Sequence, residues 1–112
     1  GSEMCIRDRF LSFLGIARKA GKLSMGADEA CKAMETGRVR LLLLAQDLSP
    51  RSERRMRAAA ETSGVPAFCA GVQMDEIALA VGKRTGILAV TDGGFAEKLT
   101  TMLATADPAA RA

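Results

Sequence analysis

The segment Lys22–Lys32 carries the residues of this chain best suited to contact a nucleic acid. A helix beginning at Gly26 would offer free backbone N–H groups and the positive end of its dipole, both favourable to a phosphate. Glycine has no side chain, so a nucleic-acid backbone can approach closely there. Asp28 and Lys32 are then neighbours one turn apart, beside Glu29. Lysine can donate to guanine, and a carboxylate can accept from base amino groups.

The same spacing has an ordinary structural interpretation. Acidic residues in the first turn of a helix favour its stability. An Asp28–Lys32 pair on the surface would be a weak ion pair of the kind that neighbouring helix positions often form. On the residues alone, both interpretations remain open.

A second polar segment, Val81–Gly86, combines two glycines, two cations and a hydroxyl between a predicted helix and a predicted strand. Such a loop suits a phosphate or a base turned out of its stack. It is equally compatible with an ordinary helix-to-strand turn that ends the helix at a glycine.

Two further segments invite a phosphate-binding interpretation. One predicted helix carries Arg51, Arg54, Arg55 and Arg57, and the first three share a face. This face could contact phosphates. A solvated helix surface is the simpler interpretation. The segment Thr91–Gly94 contains two glycines, but the chain has neither GxxxxGK[ST] nor GxGxxG. Its aspartate is better explained as a helix cap, since its charge would repel a phosphate.

Several absences exclude classes of function. The chain has no histidine, which removes the commonest general base and the commonest transition-metal ligand. The cysteines Cys5, Cys31 and Cys69 form no CxxC, so we predict no disulfide framework, no metal site and no cofactor. Tyrosine and tryptophan are also missing, which argues against a module that stacks bases on aromatic strands. We therefore predict that the chain is not an enzyme.

Basic residues are concentrated in one part of the chain. The net charge is only +3, yet residues 18–57 hold ten basic residues against five acidic ones, an excess of five. The remainder is slightly acidic. This distribution indicates an anionic partner that meets one part of the surface.

Apolar spacing predicts alternating helices and strands. Turn and cap signals bound them: Gly21 and Gly37 end helices, Ser49 with Pro50 starts one, and Asp92 starts another. The predicted helices are Phe10–Ala20, Gly26–Thr36, Pro50–Gly64, Asp75–Val81 and a last one after Asp92; the predicted strands are Val39–Ala45, Val65–Cys69 and Ile87–Thr91.

This alternation predicts right-handed βαβ crossovers and a sheet covered by helices on both faces. The predicted fold class is α/β, a single three-layer α/β/α sandwich over residues 10–103. We interpret residues 1–9 as a tag remnant (Gly1–Ser2) with an N-terminal extension, and residues 104–112 as a frayed tail. No apolar run approaches the roughly 18 to 20 residues of a membrane helix, and a secretory signal is not evident. We expect a soluble, cytoplasmic monomer.

Two stretches of the chain resemble the ribosomal protein family of L7Ae and L30e. The first comprises Leu14–Lys22 and Gly26–Lys32. The second comprises Gly82–Lys83 and Ile87–Leu99, and it is particularly similar to the family's bacterial YlxQ-like branch. The order and spacing of these segments carry the resemblance, which extends over nearly the whole predicted domain.

The resemblance implies a mixed, roughly four-stranded sheet and a non-catalytic protein that binds RNA kink-turns, possible partners including ribosomal RNA. Kink-turns are sharply bent internal loops with tandem sheared G·A pairs. In that family the start of the second helix reads these pairs, and the loop before the last strand cups an extruded nucleotide. The RNA-binding residues expected on this basis are Lys22, Gly26, Ala27, Asp28, Glu29, Lys32, Lys83, Arg84, Thr85 and Gly86.

This chain departs from the family pattern at two points. The family commonly has asparagine where this chain has Asp28, and an ionised carboxylate cannot donate a hydrogen bond. The loop Lys83–Gly86 is short and lacks apolar residues to cradle a base. The alternative function is therefore a protein-interaction or regulatory module on the same fold, with weak or lost RNA binding.

Overall fold

The computed structural model describes the backbone of residues 6–106 and the side chains of residues 8–103. The predictions for Gly1–Ser2, for Cys5 and for residues 107–112 lie outside this part of the chain. Its elements are α1 (Ile6–Lys19), β1 (Leu23–Met25), α2 (Ala27–Glu35), β2 (Leu41–Leu44), α3 (Pro50–Ser63), β3 (Ala67–Cys69), α4 (Met74–Val81), β4 (Ile87–Val90) and α5 (Gly93–Ala106).

Local capping chemistry sets several helix ends, as predicted. The Ser49 hydroxyl accepts a hydrogen bond from the Ser52 N–H (3.3 Å) at the start of α3, and Gly64 ends that helix in the left-handed conformation. Asp92 Oδ2 accepts from the Phe95 N–H at 3.0 Å, at the start of α5. These contacts satisfy backbone groups that a helix end leaves without an internal partner.

The four strands form one mixed sheet in the order β1-β4-β2-β3. As expected, β2 and β3 are parallel. The right-handed βαβ crossovers predicted from Val39 onward are wrong for β4, because this strand runs antiparallel to both β1 and β2. The reason lies in α4, a helix of 8 residues. Both ends of α4 lie near the carboxyl end of β2. There the Gln46 N–H donates to Val72 O before the helix, and the Ala45 N–H donates to Gly86 O after it. The chain therefore re-enters the sheet at that edge in the opposite direction, whereas a parallel strand requires a crossover.

The sheet separates two helical layers, which confirms the α/β/α sandwich. Along β2, Leu41 and Leu43 belong to the core beneath α1, α4 and α5. Leu42 and Leu44 belong to the core beneath α2 and α3. All four side chains are buried, because a strand between two helical layers is covered on both faces.

The helical boundaries extend beyond the predicted domain at both ends. The first helix begins at Ile6, within the segment interpreted as an extension, and the last continues to Ala106. Within residues 6–106, we find no helix long and apolar enough to cross a membrane.

Candidate nucleic-acid interface

Four strand ends meet at one edge of the sheet, here called the site edge. β1 ends at Met25, which pairs with Leu88 near the start of β4. The last residue of β2, Leu44, pairs with Ile87 on one side and with Cys69 on the other. The loops that carry the predicted binding residues therefore leave the sheet at a common edge.

The backbone at Gly26 joins the two predicted binding segments. Its N–H donates a hydrogen bond to Ile87 O at 3.0 Å, immediately after the second segment. Gly26 is the N-cap of α2, with φ 94° and ψ 160°, a conformation available essentially only to glycine. Having no side chain, it cannot cap the helix, so the first N–H groups of α2 are left open to water or a ligand.

The polar side chains at the start of α2 face solvent. Asp28, Glu29 and Lys32 are exposed, whereas Ala27 is half-buried and packs against the core beneath α2 and α3. Within residues 8–103, no ion pair joins Asp28 to Lys32. Their charges are thus available to an external partner.

The loop between α4 and β4 presents its two cations to solvent. Gly82 ends α4 in the left-handed conformation, and Lys83 and Arg84 follow it on the surface. Arg84 Nε lies 2.8 Å from Asp75 Oδ1. This hydrogen bond, with the attraction of the same carboxylate, raises the pKa of Arg84 above its ordinary value. The pair uses Nε and leaves the terminal guanidinium nitrogens to other acceptors.

The next two residues of the loop support it from within. Thr85 is 8% exposed; its hydroxyl accepts from the Ile87 N–H and contacts the Ile87 carbonyl as a donor, both at 3.2 Å. Gly86 is buried, and a Cβ there would lie 2.7 Å from Leu48 Cδ1. Thr85 and Gly86 were expected to contact RNA. Both residues are buried, whereas Lys83 and Arg84 before them are exposed at the tip of the loop.

Lys22 is separated from the other predicted residues. It precedes β1, and its carbonyl accepts from the Thr91 N–H at the opposite edge of the sheet. Three residues of extended chain separate Lys22 from Gly26, which places their Cα atoms roughly 13 Å apart. The strand β1, which imposes this separation, was not among the strands predicted from the sequence.

Asp47 is a residue of the site edge that the sequence analysis did not single out. Its Oδ1 accepts from the Met74 N–H at 2.9 Å, which fixes the start of α4 against the loop that follows β2. Asp47 also contributes to raising the pKa of Arg84. The available signal was an acidic residue in the short loop between a buried strand and the Ser49–Pro50 start of a helix.

The side chains described offer little to a metal ion. Residues 8–103 contain no group of three or more histidine, cysteine, aspartate or glutamate residues able to hold one. Cys31 is half-buried and Cys69 is exposed, and both are free thiols.

Comparison with known proteins identifies the family. The model of the ribosomal protein L7Ae/L30e/S12e/Gadd45 family matches residues 8–100. The RNA-binding protein YlxQ of Bacillus subtilis is 31% identical over 91 residues, covering 80% of this chain and 90% of that protein. The large ribosomal subunit protein eL30 of Aeropyrum pernix is 32% identical over 79 residues, covering 68% of this chain and 78% of that protein.

A solved structure agrees with these sequence matches. A protein of unknown function from Bacillus halodurans is similar with a TM-score of 0.79 and 27% identity, covering 85% of this chain and 96% of that one. The names of the matched family and of these relatives are those of ribosomal and RNA-binding proteins. Its fold and its match along residues 8–100 show that it belongs to the ribosomal protein L7Ae/L30e/S12e/Gadd45 family.

Proposed function

We propose that this protein binds structured RNA at the site edge and recognises a kink-turn or a closely related bend, with ribosomal RNA among its targets. The observation that carries the proposal is the hydrogen bond between the Gly26 N–H and Ile87 O. It holds the open start of α2 beside the strand that follows the cationic loop. Relatives named as RNA-binding and ribosomal proteins support the same class of ligand.

Each part of the site edge has a separate role in this proposal. The uncapped N–H groups after Gly26 receive a phosphate, because the positive end of the helix dipole points toward it. Glu29 and Lys32 read base edges, as an acceptor and a donor respectively. Lys83 and Arg84 bind backbone phosphates on the other side of the bend. Thr85 and Gly86 shape the loop without touching the RNA.

The surface around this site also carries acidic groups, which distinguishes it from a general polyanion binder. Asp28 and Asp75 are exposed near the proposed phosphate contacts. Their charges oppose nonspecific binding to a duplex, so affinity must come from placed contacts rather than from net charge. We infer selectivity for a bent RNA over a plain duplex.

An NMR titration of the 15N-labelled chain with a kink-turn RNA tests the location of this site. We expect the largest amide shift changes at residues 26–29, at Lys32 and at residues 82–84. Lys22 serves as an internal control and should change little, because it lies at the opposite edge of the sheet. Changes centred on α1 and α5 instead would overturn the assignment and favour a protein-interaction module.

A further inference from the structure

The first two turns of α3 carry three exposed arginines, Arg51, Arg54 and Arg55, here called the arginine face. With 3.6 residues per turn, these side chains span an arc of about 100° around the helix. The buried residues Met56 and Ala60 point to the opposite side. The arginine face is therefore directed away from the protein core.

Within residues 8–103, these three arginines form no hydrogen bond or ion pair through their side chains, whereas Arg57 on the same helix does. Arg57 Nε lies 3.0 Å from Glu53 Oε2, and its Nη1 donates to Ala67 O at 3.4 Å. Glu53 is the one acidic residue among residues 50–57, and it forms its ion pair with Arg57. Like charges three and four positions apart on a helix repel each other, so a bound anion would relieve a repulsion on this face.

The arginine face begins next to the site edge. α3 follows the end of β2 by a short loop, and Leu48 in that loop packs against Gly86 below the cationic loop. α2 and α3 share one core on the same face of the sheet, and both helices start at the site edge. Arg51 lies in the first turn of α3, and Arg55 lies only about 6 Å farther along its axis.

We propose that the arginine face binds phosphates of an RNA stem that leaves the site edge, an inference that rests on the proposed function. A bent RNA carries its stems away from the bend, and one passing over the start of α3 would meet three guanidinium groups. Guanidinium binds phosphate with parallel hydrogen bonds and without regard to sequence. This surface would add affinity for the stem, whereas the start of α2 supplies recognition of the bend.

The test compares two triple variants on a kink-turn RNA with long stems, over a series of salt concentrations. R51Q/R54Q/R55Q removes the arginine face. R9Q/R18Q/K19Q removes three exposed charges from α1, on the other side of the sheet, as a matched control. Each phosphate contact contributes about 0.9 to the slope of log affinity against log salt. We expect the first variant to lose about tenfold in affinity at low salt and to flatten the slope by about 2 to 3, and the control to change neither substantially.

A second RNA with both stems shortened to the bend makes the test specific. The loss in the arginine variant should shrink on this RNA, because the stem phosphates are gone. Wild-type binding with an unchanged salt slope in R51Q/R54Q/R55Q would overturn this inference alone. Failure of the wild-type chain to prefer the kink-turn over a plain duplex would overturn the proposed function and this inference with it. Circular dichroism melting of each variant verifies that the fold is retained.

Discussion

Glu29 and Lys32 lie on the exposed side of α2, within one turn of each other and close to its open N-terminus. A helix end of this kind attracts any phosphate. Discrimination between RNAs must come from side chains that reach the bases. We propose that Glu29 and Lys32 supply that discrimination.

Replacing either residue with alanine should weaken binding to a kink-turn by about 1 to 3 kcal/mol, the usual worth of a base-specific contact. The loss should be much smaller on an RNA whose G·A pairs are replaced by Watson–Crick pairs. Isothermal titration with both RNAs measures the difference. Lys22→Ala, at the opposite edge, is the matched control and should behave as wild type. Equal losses on the two RNAs would mean that these side chains contribute only general electrostatics.

Asp28 should act in the opposite direction. Its carboxylate is exposed in the first turn of α2, where a phosphate is proposed to bind, and Asp28→Asn removes that charge while introducing a donor. We expect kink-turn binding to tighten by about 1 kcal/mol, the interaction of two unit charges about 4 Å apart in water. Glu97→Gln, on α5, neutralises an exposed carboxylate far from the site edge and should leave affinity unchanged. Weaker binding of the Asp28 variant would show that the carboxylate itself contacts the RNA.

Residues with local roles were predictable, and residues placed by tertiary structure were not. Ser49 and Asp92 cap helices because their side chains reach backbone groups a few positions away, and the sequence displays that spacing. Lys22 and Thr85 depend on where β1 begins and on how the last loop packs. No local pattern contains that information, so the sequence could not show that Lys22 lies at the opposite edge of the sheet or that Thr85 is buried.

At the scale of elements, β2, β3 and β4 were predicted from the sequence and β1 was not. β2 is a run of four buried leucines, a pattern typical of a strand covered on both faces. β1 has three half-buried residues and is too short to show an alternation. The direction of β4 was unpredictable because it depends on whether α4 crosses the sheet.

The contact between α1 and α4 depends on Gly15. A Cβ at this position would lie 2.9 Å from the Ala80 carbonyl oxygen, and backbone atoms cannot move aside as a flexible side chain can. Alanine in a helix would gain about 1 kcal/mol over glycine, whereas overpacking costs about 1 to 3 kcal/mol. We expect Gly15→Ala to lower the free energy of unfolding by about 1 kcal/mol in urea denaturation.

Gly93→Ala provides the control for this prediction. Gly93 is also in a helix, and apart from its own helix and chain neighbours a Cβ there would meet nothing within 4 Å, so Gly93→Ala should raise the free energy of unfolding by up to about 1 kcal/mol. A stabilising effect of Gly15→Ala would contradict the close packing of α1 against α4.

At the scale of the whole molecule, the chain combines a small net charge of +3 with no histidine. If several phosphate contacts dominate, RNA affinity should fall steeply with salt, with a log–log slope of about −3 to −6. Between pH 6 and pH 8 the RNA affinity should change by less than about twofold. Histidine is the side chain that ordinarily titrates in this range, and the chain has none. Fluorescence anisotropy at fixed ionic strength separates the two variables. A flat salt response would favour the protein-interaction module.

Recognition of a kink-turn at the site edge can be measured by a competition binding experiment. A labelled kink-turn is displaced from the wild-type chain by three unlabelled RNAs of equal length: the same kink-turn, a version with its G·A pairs replaced by Watson–Crick pairs, and a plain duplex. We expect the kink-turn to compete at least about tenfold better than either of the other RNAs, because one or two base-specific contacts account for such a difference. Equal competition by all three RNAs would contradict this expectation.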